Sequence, residues 1–400
     1  MARDRADAGA DADAARDPAR LDCPDCGKTY DDRWRCTCGS PLRFADTPLP
    51  DGSAPEPTEF DPRDGLWSFD AFLPVGVDPA DRVTLGEGLT PLVDADDSRT
   101  CDDPDPDPGD PDPDWNAEFK LEYVFPTGSF KDRGATTTLT RARELGVDRV
   151  VEDSSGNAGA AIATYAARAG IDAEIYVPAD VKESKLAAIR RAGAEPVRIE
   201  GSRQDVTDAC VAEVTDGDAW YASHAWNPAF FAGTATFAYE VAYQRDWTAP
   251  DAVVTPLGHG TLFLGAYQGF RALEAAGWID EVPRLLGAQA AGVAPIVREL
   301  HGSEAADPTG AVNDAADGIQ IASPVQSDRI LTAIAETDGD AVAITEAAAE
   351  RELDRLHAAG FYTEPTCAVA PAALREFREQ GVLGDDEDVV VPLTGSGLKT

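Results

Sequence analysis

The chain centres on Pro126-Thr127-Gly128-Ser129-Phe130-Lys131-Asp132-Arg133-Gly134, a turn that leads into a helical pattern extending to residue 145. Lys131 stands beside the apolar Phe130, in a chain that has six lysines against 28 arginines. A lysine shielded from water at the start of a helix can act as a Schiff-base nucleophile and as a base. The alternative interpretation is a solvated lysine in the first turn of a helix, because short motifs also occur by chance.

Composition places the chain among folded globular proteins with a very acidic surface. Hydrophobic residues make up 43% and aromatic residues 8% of its 400 residues, which is too much apolar material for a disordered acidic chain. The net charge is −39, from 73 acidic and 34 basic residues, so the acidic side chains must mostly coat a folded surface. Such a surface resembles that of proteins from salt-accumulating organisms. It argues against a nucleic-acid partner, since that binding relies on lysines and arginines that displace counterions.

The sequence contains no candidate membrane span and no secretory signal of the usual kind. No apolar run approaches 18 residues, so no membrane partner is expected. Residues 1–20 are rich in Asp, Ala and Arg without an apolar core, and they are interpreted as a disordered leader. The seven cysteines are an odd number and four of them cluster, which favours a reducing compartment. The predicted location is therefore cytoplasmic.

Four cysteines predict a zinc ribbon over residues 21–43. Cys23 and Cys26 are separated by two residues, Cys36 and Cys38 by one, and a glycine follows each pair. Four thiolates spaced in this way can close a tetrahedral zinc site, and four protein ligands leave no open position for catalysis. The predicted zinc is therefore structural. The alternatives are reduced surface thiols, or a ribbon that has lost its metal.

Short β-branched runs alternate with alanine-rich helical stretches from residue 147 onwards. In the first part, strands are predicted at 147–151, 173–177 and 196–199, and helices at 157–169, 183–192 and 204–214. In the second part, strands are predicted at 252–256 and 284–288, and helices at 262–275, 294–300, 329–336, 345–358 and 371–379. This alternation is typical of parallel sheets covered by helices. The predicted fold class is α/β, with two doubly wound parallel-sheet domains after the ribbon.

The predicted domain boundaries lie where this alternation is interrupted. Residues 44–65, rich in Pro, Asp and Gly, are interpreted as a linker. The smaller α/β domain, which carries Lys131, is expected at 125–235, and the larger one at 66–124 and 236–400. The segment 101–115 is largely alternating Asp and Pro and cannot bury apolar surface, so it is predicted to be a solvated insertion in the larger domain.

Four loops stand where ligands bind in open α/β sheets, after the predicted strands, and the third of them along the chain, residues 361–368, contains Glu364 and Cys367. Residues 153–159 bring Ser154, Ser155 and the start of a helix to one place, which suits a carboxylate. Residues 257–262 contain two glycines that let the backbone approach a phosphate closely. A hydroxyl-bearing glycine turn occupies 393–400. Ordinary N-caps and tight turns are the alternative for the first two loops.

Together these features predict pyridoxal phosphate as the cofactor. A reactive lysine, a phosphate-binding loop, a carboxylate-binding loop and a hydroxyl for the pyridine nitrogen are the groups that this cofactor and an amino-acid substrate require. A small amino acid is therefore the predicted substrate class.

The same motifs resemble those of threonine synthase, a family within the tryptophan synthase β-like, fold-type-II pyridoxal phosphate enzymes. The resemblance runs from about residue 23 to residue 399, and its motifs are Leu85-Gly86-Glu87-Gly88, Thr90-Pro91-Leu92, and residues 126–134, 154–159, 289–296 and 393–395. The ribbon also resembles the one that precedes many archaeal members. The resemblance implies a homodimeric carbon–oxygen lyase that converts O-phospho-L-homoserine and water to L-threonine and phosphate.

Carried over to this sequence, the resemblance implies a role for each predicted site residue. Lys131 is expected to bind the cofactor as a Schiff base and to shuttle protons. The other cofactor-binding residues are expected to be Phe130, Asn157, Gly258, His259, Gly260, Thr261 and Thr394. Among them, Asn157 would meet the 3′ oxygen, residues 258–261 the phosphate, and Thr394 the pyridine nitrogen. The substrate carboxylate is expected at Ser154, Ser155 and the N–H of Ala158.

Several positions depart from the residues usual in the family. Phe125 stands in place of Asn, Ala232 in place of Glu, Ser396 in place of His, and His259 where Asn or Gly is frequent. Such losses change which substrate anion fits, so two other activities with the same cofactor stay open. These are β-replacement, as in cysteate synthase, and β-elimination, as in threonine or serine dehydratases. A non-enzymatic adaptor is a further alternative, which the acidic surface and the intact Lys131 oppose.

Overall fold

The computed structural model describes residues 18–96 and 115–399. The expected leader up to residue 17, and the expected insertion up to residue 114, lie outside the described residues. Trp115, the last residue of the range expected for the insertion, is fully buried and packs against Phe119. In the part of the chain that is described, no helix is both long and apolar enough to cross a membrane.

The described residues form three sheets and eleven α-helices. The strands are β1 (Leu21–Asp22), β2 (Thr29–Tyr30), β3 (Arg43–Phe44), β4 (Leu92–Asp94), β5 (Glu118–Lys120), β6 (Arg149–Glu152), β7 (Asp172–Pro178), β8 (Glu195–Ile199), β9 (Trp220–Tyr221), β10 (Ala252–Pro256), β11 (Arg284–Ala290), β12 (Asp340–Ile344) and β13 (Val389–Pro392). The helices are α1 (Lys131–Glu144), α2 (Asn157–Ala169), α3 (Glu183–Arg191), α4 (Arg203–Asp216), α5 (Pro228–Gln244), α6 (Thr261–Ala275), α7 (Pro295–His301), α8 (Ser303–Ala306), α9 (Ser327–Glu336), α10 (Glu346–Ala358) and α11 (Val369–Glu379).

Two of the sheets are built mainly from parallel strands, which confirms the predicted α/β class. The smaller sheet has the order β8-β7-β6-β9 and is parallel throughout. The larger sheet has the order β12-β11-β10-β13-β5-β4, in which only the edge strand β4 runs antiparallel to its neighbour. The third sheet is the small antiparallel one of the ribbon, in the order β2-β1-β3.

Asn227-Pro228 and Gly233 predict a turn over residues 227–233, but in the structure this stretch begins helix α5. Asn227 accepts a hydrogen bond from the N–H of Ala229 at 3.0 Å, and Pro228 occupies the first turn, where its missing N–H costs nothing. Gly233 stands inside the helix because α5 crosses α1 closely: a Cβ at this position would lie 2.0 Å from the carbonyl oxygen of Arg133. The glycine therefore serves helix packing and does not mark a turn.

The core brings the helix that carries Lys131 next to the loop predicted to bind phosphate. Helix α5 packs against α1 on one side and against α6 on the other. Its side chains Phe230 and Phe237 are fully buried. The ribbon is attached to this body through an apolar cluster that includes Leu21, Trp67 and Ala229.

Candidate active site

Lys131 is the first residue of α1, at a point where the C-terminal turn holds the chain. The N–H of Phe130 donates to the carbonyl oxygen of Thr394 at 3.0 Å, and the N–H of Ser396 donates to the carbonyl oxygen of Gly128 at 2.9 Å. The predicted Schiff-base lysine and the predicted partner of the pyridine nitrogen therefore lie on adjacent backbone segments.

The amine of Lys131 points towards the second predicted loop. Its Nζ donates to Oγ1 of Thr261 at 3.1 Å and lies 4.4 Å from the ring centroid of Phe130. Burial lowers the pKa of Lys131 to about 8, and the nearby acids Glu152 and Glu364 oppose this shift. A lysine with a pKa near neutrality is a better nucleophile and base than a solvated one.

The four residues predicted to bind phosphate lie where the loop after β10 enters α6. Gly260 precedes α6 with a left-handed φ of 77°, and a Cβ there would lie 2.7 Å from Cδ1 of Ile330. Thr261 begins the helix, whose free N–H groups make an anion site. Between Gly258 and Gly260, the Nδ1 atom of His259 is buried without a hydrogen-bond partner among the described residues.

The predicted carboxylate loop lies between β6 and α2. Ser154 and Ser155 follow the strand, and Asn157 and Ala158 are the first two residues of the helix. The loop closes tightly on the helix, because a Cβ at Gly159 would lie 1.8 Å from the carbonyl oxygen of Ser154. The positive end of α2 therefore faces this loop, an arrangement that favours an anion.

Glu364, to which the sequence assigned no role, connects two of the predicted segments. The Nδ2 atom of Asn157 donates to both carboxylate oxygens of Glu364, at 2.9 and 3.2 Å. The N–H of Glu364 donates to the carbonyl oxygen of Gly395 at 3.0 Å. Burial raises the pKa of Glu364, and the bond from Asn157 opposes that rise. The start of α2 is thereby joined to the C-terminal turn.

Thr394 is positioned by a buried cysteine. The Sγ atom of Cys367 lies 3.3 Å from Oγ1 of Thr394 and accepts a hydrogen bond from the N–H of Gly395 at 2.9 Å. Burial raises the pKa of Cys367 to about 12, so the thiol stays protonated. Its role is packing and hydrogen bonding beside Thr394.

Two histidines lie near Lys131. Nδ1 of His224 is 2.6 Å from Oε1 of Glu152, and the rings of His224 and His259 meet edge to face with centroids 5.2 Å apart. Burial raises the pKa of Glu152 and lowers that of His224, which favours the uncharged form of each group. A neutral Glu152 would donate its proton to Nδ1, and the Nε2 atom of His224 would then carry the ring hydrogen.

Sequence reasoning missed Glu152 and His224 as members of the site, and it singled out the loop that contains Glu364 without giving that residue a role. His224 follows a strand of only two residues, which gave no periodic signal. Glu152 ends β6 and is fully buried, so from the sequence it could not be told from a surface acid next to Asp153. The scarcity of histidine was the available signal, since two of only four histidines in the chain lie here.

These groups fit pyridoxal phosphate. The α6 N-terminus offers free N–H groups and glycines without side chains, beside an unpaired ring nitrogen of His259. The Lys131 amine lies at the same helix end and has a lowered pKa. A cradle for a phosphate and an amine for a carbonyl group are thus adjacent.

The four ribbon cysteines form a separate cluster that fits a metal. Their Sγ atoms lie within 4.8 Å of one another, with Cys23 and Cys38 at 3.6 Å and Cys26 and Cys36 at 3.4 Å. A tetrahedral zinc with Zn–S bonds of about 2.3 Å needs sulfur atoms about 3.8 Å apart. The cluster therefore has nearly the dimensions of a zinc site with four cysteine ligands.

Comparison with known proteins identifies the family. The sequence profile of the family described as "Pyridoxal-phosphate dependent enzyme" matches residues 83–395. The chain therefore belongs to the pyridoxal-phosphate-dependent enzymes, in agreement with the predicted cofactor.

The similar proteins within this family include threonine synthases. Threonine synthase from Methanosarcina acetivorans is 35% identical over 339 residues, which cover 84% of this chain and 80% of that protein. Threonine synthase from Methanocaldococcus jannaschii is 34% identical over 389 residues, covering 94% of this chain and 92% of that protein. Among solved structures, a threonine deaminase from T.th. superposes with a TM-score of 0.58 at 26% identity, covering 70% of this chain and 87% of that one.

Proposed function

We propose that this protein converts O-phospho-L-homoserine and water to L-threonine and phosphate, a reaction in which the Cγ–O bond breaks and water adds at Cβ. The observation that carries the proposal is the position of the buried Lys131 amine. Its Nζ lies 3.1 Å from Oγ1 of Thr261, the first residue of α6, where the phosphate is expected to bind. The identity of 34–35% to two threonine synthases over most of the chain supports this reaction.

Lys131 and the residues of the carboxylate-binding loop have defined tasks in this reaction. Bound pyridoxal phosphate supplies an electron sink that stabilises negative charge on the substrate carbons. Lys131 anchors it and moves the protons at Cα and Cβ, tasks that suit an amine with a pKa of about 8. Ser154, Ser155 and the N–H of Ala158 hold the substrate carboxylate at the positive end of α2.

The phosphate of the substrate is assigned to a neighbouring group of side chains. With a neutral Glu152, His224 would present Nε2–H, and the ring of His259 meets it edge to face, with centroids 5.2 Å apart. Burial is the main cause that lowers the pKa of both histidines, and the guanidinium of Arg203, paired with Asp153 at 3.3 Å, lowers it further. Together they offer donors and positive charge to a phosphate ester.

The ribbon cluster is proposed to hold one structural zinc. Four thiolates close the coordination sphere, so the metal would stabilise the ribbon without entering the reaction. A homodimer in the cytoplasm is part of the same proposal and awaits measurement of the solution mass.

Product analysis tests the reaction. Purified protein loaded with pyridoxal phosphate in strong potassium chloride should form threonine and equimolar phosphate from O-phospho-L-homoserine. Lys131→Ala should abolish turnover, whereas Lys182→Ala, at an exposed lysine, should keep it. Phosphate release without threonine, or reaction only with serine or phosphoserine, would move the protein to the elimination or β-replacement activities.

A further inference from the structure

A cavity of about 340 Å³ lies between the ribbon and the smaller sheet. Its walls include Asp32, Trp34, Arg35, Arg141, Trp220 and Tyr221, and we call it the ribbon cavity. None of the residues that line it belongs to the proposed catalytic or cofactor-binding set. It is therefore a site distinct from the one around Lys131.

The charge of the ribbon cavity is opposite to that of the protein. Arg33, Arg35 and Arg141 line it against one acid, Asp32, while the whole chain carries −39. Three arginines lining one cavity of such a chain favour an anionic ligand.

Arg141, one of the residues that line the cavity, has an incompletely hydrogen-bonded guanidinium. Its side chain is 2% exposed, and Nη2 donates to the carbonyl oxygen of Asp31 at 2.9 Å. Nη1 is buried without a partner among the described residues, and Asp32 comes no closer than 3.8 Å to the guanidinium. A buried donor of this kind costs free energy until an acceptor binds it, and a carboxylate is the acceptor that guanidinium groups match best.

The remaining wall is aromatic and well fixed. The ring of Trp34 meets Tyr221 edge to face, with centroids 5.4 Å apart, and carries the guanidinium of Arg35 at 4.3 Å on its face. Trp220 is held by a hydrogen bond of 2.8 Å from Nε1 to Asp32. Fixed aromatic rings beside an arginine suit a ligand with an apolar part next to its carboxylate.

We propose that the ribbon cavity binds a small carboxylate with an apolar tail, of the size of an aliphatic amino acid. A volume of about 340 Å³ is at the small end of ligand pockets, which matches a molecule of this size. Arg141 takes the carboxylate, and Trp34 and Trp220 cover the tail.

The ribbon cavity is connected to the active site through two of its walls. Arg141 belongs to α1, the helix that begins with Lys131. Tyr221 donates its hydroxyl hydrogen to Oδ1 of Asp153 at 2.9 Å, directly before Ser154. A ligand here thus contacts elements that carry two parts of the proposed site.

Calorimetric titration of the cofactor-loaded protein with 3-methylpentanoate tests the proposal. This probe lacks the amine that would let it react with pyridoxal phosphate. We expect saturable millimolar or tighter binding that Lys131→Ala leaves unchanged, that Arg141→Met weakens at least tenfold, and that Arg141→Lys partly restores. Val214→Phe, which fills the cavity from α4, should also abolish binding and covers the case in which Arg141→Met does not fold. Absence of binding to the wild type would overturn the proposal. So would wild-type affinity in both Arg141→Met and Val214→Phe.

Discussion

Arg133 of α1 donates through Nη1 to Oε1 of Glu240 on α5 at 2.6 Å, and both side chains are completely buried. Glu122 accepts from Nε of the same guanidinium at 2.7 Å, and Lys120 donates to Glu240 at 2.9 Å. Two positive and two negative charges therefore balance one another inside the core. Because Arg133 stands two residues after Lys131, this network also fixes the orientation of the helix that bears the reactive amine.

Glu240→Gln should destabilise the fold strongly. It removes one negative charge from beneath Arg133 and Lys120, and breaking a buried ion pair on one side costs about 3–5 kcal/mol. The free energy of unfolding, measured with denaturant in strong potassium chloride, should fall by this amount. Glu274→Gln, which removes an exposed partner of Arg271, is the matched control and should cost less than about 1 kcal/mol. Equal effects of the two substitutions would contradict the balancing role of Glu240.

The lowered pKa of Lys131 predicts how cofactor attachment depends on pH. With a pKa of about 8 against an ordinary 10.5, the amine is mostly free above pH 8. The rate at which the cofactor-free protein attaches pyridoxal phosphate should rise through pH 8 and then level off. Borohydride reduction followed by mass spectrometry would measure it, and a midpoint above about pH 9.5 would count against a buried amine.

The same shift affects the stability of the cofactor-free protein. Between pH 8 and 10.5 the unfolded chain keeps the proton that folded Lys131 has lost, so this group makes stability rise with pH in that window. Below pH 8 both states are protonated, and the full cost of burying the charged amine is present. In Lys131→Met this rise should disappear.

His224→Gln should weaken the binding of a phosphorylated substrate. If Nε2 of His224 donates to the phosphate, loss of that charge-assisted bond should raise KM for O-phospho-L-homoserine roughly tenfold or more, with a smaller change in kcat. Any side reaction with serine, which has no phosphate, should keep its KM. His301→Gln, at an exposed histidine, serves as the control. An unchanged KM in His224→Gln would place the phosphate elsewhere.

One zinc ion per chain should be found by metal analysis of the purified protein. Cys26→Ser should remove it, whereas Cys210→Ser, at a buried cysteine outside the ribbon, should retain it. Loss of zinc should lower the melting temperature before it changes the rate of catalysis, because the ribbon is too small to fold on its own core. A protein that folds with full stability and no metal would refute the zinc site.

The segment between residues 96 and 115 should be replaceable by a short linker. Asp96 accepts a hydrogen bond from the N–H of Trp115 at 3.1 Å. The N–H of Ala95 donates to the carbonyl oxygen of Ala117 at 2.9 Å. The residues that precede and follow the segment therefore already lie side by side. A variant in which a few Gly and Ser residues replace 97–114 should keep its activity and melting temperature within a few degrees. Loss of turnover would assign this segment to the site.

Local sequence patterns predicted the elements whose boundaries carry their own chemical signals. Helix α2 begins and ends where predicted, because a glycine stands at each boundary and alanines fill its interior. Strand β10 was predicted with its observed ends, since it is a buried β-branched run. Strand β13 was not predicted, although Val389, Val390 and Val391 form a buried β-branched run like that of β10.

The parts of the site that sequence reasoning missed depend on contacts between distant residues. Asn157 and Glu364 are hydrogen-bonded across 207 positions of the chain, and His224 and Glu152 across 72. The periodicity and residue spacing of a sequence do not predict contacts between residues so far apart in the chain. The loops that carry Lys131 and Thr261 were recognisable because glycine and hydroxyl residues there are dictated by local backbone geometry.

The pairing of β5 with β13 has a consequence for how the protein is made. All four strands of the smaller sheet lie between residues 149 and 221, so that sheet can assemble while synthesis continues. Strand β5 can pair with β4 as soon as both are made, but its other edge stays unpaired until Val390 is available, and the N–H of Phe130 lacks its acceptor until Thr394 is available. The cofactor pocket is therefore finished only after the last strand has left the ribosome. A nascent chain from which residues 390–394 have not yet emerged cannot capture pyridoxal phosphate in its native site.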